Sequence, residues 1–112
     1  MPYEEKLAER IRGVLTEKQH FTERKMFGGI AFMLNGNMCC GVQEDILVLR
    51  LGNELVEQAL KEKHTRPMDF TGRVIKSMVY VTPTGYKSDQ KLSDWIEQAI
   101  SFTESLPAKN VT

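Results

Sequence analysis

The chain has 112 residues, of which 41% are hydrophobic and 27% charged, the size and composition of one folded domain rather than a disordered segment. Fifteen Lys and Arg balance fifteen Asp and Glu, so the basic surplus that gives most nucleic-acid binders their phosphate affinity is absent. No stretch approaches the roughly 20 apolar residues that cross a bilayer, and the charged opening MPYEEKLAERIRG does not read as a signal peptide, so a cytoplasmic protein without membrane contact is expected.

Leu7, Ile11, Val14 and Leu15 recur at helical spacing and predict a first helix over residues 3–16, with Glu4 and Glu5 favourably placed in its first turn. Residues 21–34 are rich in aromatic and branched side chains and read as a strand. Gly28-Gly29 within it suggests a bulge or a close backbone approach. Asn35-Gly36 is a hairpin signal, since a type I′ turn needs positive φ at both central residues. Residues 37–42 are the expected returning strand, Gln43-Glu44-Asp45 a second turn, and residues 46–51 a third strand.

Asn53 is placed to cap a short helix reaching to about residue 63. Residues 64–73 (HTRPMDFTGR) read as a loop broken by Pro67 and Gly72, and residues 74–82 as a further strand. A last helix is predicted over residues 89–104, capped by Ser88 or Asp89. Its wide apolar face carries Leu92, Trp95, Ile96, Ala99, Ile100 and Thr103. Residues 1–107 are thus read as one domain and 108–112 as a flexible tail. Helix, antiparallel meander, short helix, strand and helix make an α+β architecture.

Chemistry-bearing residues are sparse. His20, His64, Cys39 and Cys40 are the soft ligands, and they do not match the paired spacings of a structural zinc site. Cys39 and Cys40 are adjacent, a poor geometry for a mutual disulfide. One should face the core and the other should be exposed and oxidisable, since neighbours on a strand point to opposite faces. A Cys-His nucleophilic pair would need tuning that nothing nearby supplies. Met26-Phe27-Gly28-Gly29 lacks the spacing of a phosphate-binding loop. No catalytic residue, metal or cofactor is assigned.

Two features point outward. Arg24, Lys25, Arg50, Arg73 and Lys76 lie in or beside predicted strands. They could converge to hold an anion or an acidic partner, or simply shield sheet edges. Residues 26–34 and 46–51 also carry apolar side chains at both parities. Helices can cover one face of an antiparallel sheet, so the other must be buried by self-association, by a partner, or by a sheet that curls on itself.

The run Arg24-Lys25-Met26-Phe27-Gly28-Gly29, the Asn35-Gly36 turn and Leu49-Arg50-Leu51 resemble the N-terminal domain of the TfoX/Sxy family of bacterial competence regulators. Pro67-Met68-Asp69-Phe70, Val79-Tyr80-Val81, Leu92-Ser93-Asp94-Trp95 and Ser105-Leu106-Pro107 follow in the family's order. The resemblance implies helices around a strongly bent antiparallel sheet, similar to the secretion-chaperone-like architecture. It makes Met26, Phe27, Gly28, Gly29, Asn35, Gly36 and Trp95 the structural signature. The family's named members promote expression of DNA-uptake genes together with the cyclic-AMP receptor protein. Those members also carry a second, C-terminal domain, for which this sequence has no room. The expected function is a stand-alone, non-enzymatic regulatory module acting through protein binding or as a homodimer. The alternatives are an auxiliary transcription factor touching DNA weakly, and a small-ligand binder.

Overall fold

The computed structural model describes residues 4–18, 20–26, 28–70 and 72–107. In chain order the elements are α1 (Glu5–Lys18), β1 (Thr22–Met26), β2 (Gly29–Leu34), β3 (Asn37–Gln43), β4 (Ile46–Arg50), α2 (Asn53–Ala59), β5 (Thr65–Phe70), β6 (Arg73–Val81), a 3₁₀ turn (Pro83–Tyr86) and α3 (Asp89–Glu104). The strands form one antiparallel sheet in the order β1-β2-β3-β4-β6-β5. The α+β class is the one expected. Tyr3, Phe27 and the expected tail 108–112 lie outside the described residues.

Strand alternation gives the sheet two faces. Leu47 and Leu49 join Ile30, Phe32, Leu34, Val42, Val79 and Val81 in a core with all three helices. α1 contributes Leu7, Ala8, Ile11 and Leu15, α2 Val56 and Ala59, and α3 Leu92, Trp95, Ile96, Ala99 and Ile100. Val48, between the two leucines of β4, points the other way. It is buried with Ala31, Met38, Met68, Met78 and Tyr80, and Met26, Met33, Ile46 and Ile75 are half-buried against them. No helix contributes to this second cluster. The curled sheet therefore closes over its own second face. Tyr80 on β6 shows the curvature: its hydroxyl donates to Gln43 Oε1 on β3 (2.9 Å) and to the Asp69 carbonyl on β5 (3.3 Å).

Two register breaks accompany the bend, as bulges do by increasing local twist. One lies between Phe32 and Met33: Phe32 pairs with Cys40 and Met33 with Met38, so Cys39 is the extra residue on β3. The other lies between Pro67 and Met68 of β5.

The turns follow from backbone chemistry. Leu34 pairs with Asn37 across the two-residue loop, in which Asn35 and Gly36 have φ of 54° and 80°, as expected for a type I′ hairpin. Residues 21–34 are not one interrupted strand. Met26 pairs with Gly29, so the chain reverses between them with Gly28 at φ 73°. The close approach foreseen for this glycine pair holds at Gly29, where a Cβ would overlap the Val42 carbonyl oxygen.

Three other expectations are corrected. Asn53 does not cap α2: the cap is Gly52 at φ 85°, with no side-chain bond. A Cβ at Gly52 would sit 2.5 Å from the Phe102 ring. α2 also stops at Ala59, where the Thr65 hydroxyl donates to the Ala59 (2.7 Å) and Glu62 (3.0 Å) carbonyls and satisfies the helix end. Finally, residues 65–70 are a strand. Pro67 is compatible with it because β5 is outermost in the sheet, where a missing N–H breaks no ladder.

α3 matches its expected bounds. Ser88 Oγ accepts from the Lys91 amide (3.1 Å), and the six residues of the predicted apolar face are the buried ones.

Candidate functional site

The described signature residues have structural roles. Met26 ends β1 and half-buries against the second cluster, Gly28 makes the turn, and Gly29 lets β2 approach β3. Trp95 is 5% exposed, and its Nε1 donates to the Gly85 carbonyl (3.0 Å), pinning the 3₁₀ turn to α3. Arg10 reinforces that junction by donating to the Tyr86 and Lys87 carbonyls (3.0 and 3.1 Å) and to Asp89 (3.2 Å). Arg12 ties α1 to β1 through a two-pronged bond to Glu23 (2.7 and 2.9 Å), which draws the Glu23 carboxyl below its ordinary range.

The two cysteines differ from expectation. Because Cys39 is the bulged residue, it and Cys40 both turn toward the helix-covered core, and both are buried. Neither is exposed to oxidants. The Cys40 thiol is pushed well up by its hydrogen bond to Cys39 and by complete burial. Among the described residues, no group of three or more His, Cys, Asp or Glu side chains could hold a metal ion.

The five strand cations distribute over three strands. The register sets Arg24 opposite Ala31 of the second face and Lys25 opposite Ile30 of the helix face, both on the outermost strand β1. Arg50 pairs with Met78, and its guanidinium lies 6.0 Å from the Phe102 ring. Arg73 and Lys76 sit on β6, toward the opposite edge of the sheet from β1.

Two recesses come from packing rather than from any motif. The larger, about 420 Å³, lies where α2 meets the β5-β6 hairpin. Val56, Leu60, Pro67, Ile75 and Met78 give it apolar walls, and Asn53, Glu57, Lys76 and Val74 complete it. Val74 is 62% exposed, and Leu55 and Leu60 are also exposed. The smaller, about 290 Å³, is lined by Lys61, Glu62, Lys63, His64, Thr65, Gly85, Lys91 and Trp95. Sequence patterning does not reveal either. Val74 reads as an ordinary strand residue, and the three lysines are separated by up to 30 positions.

A family model described as the TfoX N-terminal domain matches residues 14–103. The chain belongs to that family. Comparison with curated proteins and with solved structures gives no match to either. The TfoX N-terminal domain family is linked to the regulation of competence, and the match runs from the last turns of α1 through nearly all of α3. Among the described residues, no helix is long and apolar enough to cross a membrane.

Proposed function

We propose that this TfoX N-terminal domain protein is a non-enzymatic regulatory module of the cytoplasm that works through protein contact, and that its first partner is a second copy of itself. The observation that carries this reading is the apolar recess between α2 and the β5-β6 hairpin. A two-fold interface must be complementary to itself. Here one patch holds both a projecting apolar side chain, Val74, and a cavity able to receive it, walled by Val56, Leu60, Pro67 and Met78. The same rim carries one acid, Glu57, and one base, Lys76, neither ion-paired among the described residues. Across a two-fold axis each meets its opposite.

The rest of the second face, away from Ile75 and Met78 at the recess, is largely buried within one chain. Buried, unpaired thiols at Cys39 and Cys40 suit a reducing compartment.

Sedimentation velocity over a wide concentration range tests the idea. The wild type should show a concentration-dependent dimer, and Val74→Glu, which drives a charge into the apolar recess, should abolish it. The single changes Glu57→Lys and Lys76→Glu should weaken it, and the double exchange should restore it. A wild type that stays monomeric at millimolar concentration removes self-association.

A further inference from the structure

We propose that the smaller recess, ringed by Lys61, Lys63 and Lys91 beside His64, binds a small phosphate-bearing anion. The three lysines come from two stretches: Lys61 and Lys63 from the connection between α2 and β5, and Lys91 from the first turn of α3. None of them is ion-paired among the described residues. Glu62 is the single carboxylate lining the recess. In a chain whose charges otherwise cancel, this concentrates positive charge around a concavity.

The recess is built rather than incidental. Trp95 Nε1 donates to the Gly85 carbonyl (3.0 Å), and the Thr82 amide and hydroxyl donate to the His64 carbonyl (2.9 and 3.2 Å). A Cβ at Gly85 would meet Val81 Cγ1 at 2.6 Å and His64 Cβ at 2.9 Å, so floor and wall are locked together. The Thr65 hydroxyl is occupied with the Ala59 and Glu62 carbonyls, which leaves the lysines and the half-exposed His64 ring as the groups free to bind.

The chemistry selects phosphate. Lysine acts as a mobile point charge, and three of them suit a tetrahedral, multiply charged group better than a planar carboxylate, which arginine recognises in bidentate fashion. The volume of about 290 Å³ sits at the lower bound of ligand pockets, which favours a small phosphate ester. A duplex would be followed by a stripe of cations. Here they line one hollow, and Arg24 and Lys25 are on a different edge of the sheet.

Trp95 is the chain's single tryptophan and lines the recess, so its fluorescence is a built-in reporter. Inorganic phosphate and pyrophosphate should be titrated at constant ionic strength against chloride, with backbone amide NMR shifts of Lys63, Gly85 and Lys91 followed in parallel. Saturable, clustered changes are expected. Lys63→Gln and Lys91→Gln should each weaken binding roughly tenfold, the loss of one charge-assisted contact, with thermal unfolding unaltered in the absence of phosphate. Changes that do not saturate, that chloride reproduces, or that survive both substitutions would overturn the proposal. A short DNA duplex that binds through the same lysines while phosphate does not would overturn it in favour of nucleic acid. Dimerisation is scored by a different recess and different variants, so either idea can fail alone.

Discussion

The two faces of the sheet are buried by different means. Three helices cover the first, and its interior is built from Leu, Ile, Val, Phe32 and Trp95, side chains with few, well-defined rotamers. The second is closed by the sheet's own curvature, and the five methionines at positions 26, 33, 38, 68 and 78 all lie in it. Unbranched, polarisable methionine fills the irregular gaps left when strands bend over themselves. A helix brings a ready-made apolar stripe to a sheet. A curled sheet has to make do with adaptable filler.

The largest expected effect tests that contrast directly. Leu49 and Met78 lie on adjacent strands and face opposite cores. Leu49→Ala should cost about 2–5 kcal/mol, because a rigid, fully buried site collapses poorly around a cavity. Met78→Leu should cost below about 1.5 kcal/mol, as volume-conserving swaps do. Urea unfolding of both variants decides the matter, and equal losses would show that the second core is as tightly specified as the first.

A smaller effect concerns the bond network that marks the curl. Tyr80→Phe leaves the ring in place but removes the donor to Gln43 and Asp69, which should cost about 1 kcal/mol. Burial already raises the Tyr80 hydroxyl above its ordinary range, with Asp69 adding to the effect. A spectroscopic titration should therefore find two tyrosines ionising late, and Tyr80→Phe should remove one of those components. Tyr86, raised for the same leading reason, remains as an internal comparison.

The smallest effect lies at the outer rim of the first core. The Glu23 carboxyl titrates below its ordinary value near 4.5 because Arg12 hydrogen-bonds to it. A depressed acid stabilises the fold above its unfolded pKa, and that contribution disappears as pH falls through the lower, folded value. Glu23→Gln should therefore cost below about 1 kcal/mol at pH 7, as partly exposed pairs do. The wild type and the variant should converge as pH falls through the lowered, folded-state value of Glu23. A difference that persists there would mean that packing of the side chain, rather than its charge, joins α1 to β1.

Much of the first core was legible in the sequence, because helical periodicity is a local property. The face of α3 could be named residue by residue, and Asn35-Gly36 marked its turn because few other residue pairs tolerate positive φ twice. Two of the misreadings share a cause: each depends on a neighbouring strand. Thr65–Phe70 contains Pro67 and two charges and forms a strand only because β6 pairs with it at an edge. Cys39 and Cys40 break alternation only because β2 opposes two residues of β3 with one of its own. The recesses were equally hidden. Lys61, Lys63 and Lys91 are brought together by the 3₁₀ turn locking onto α3, and Val74 is conspicuous only once α2 lies beside it.

An open sheet has two ends, and each here is guarded differently. β1 presents Glu23, Arg24 and Lys25, all exposed, while β5 carries the imino acid Pro67 at its register break. Backbone addition of one molecule to the next, ribbon-fashion through the main chains, is disfavoured at both ends. The two-fold contact proposed through the α2 recess would instead close at two copies and leave no surface on which to grow.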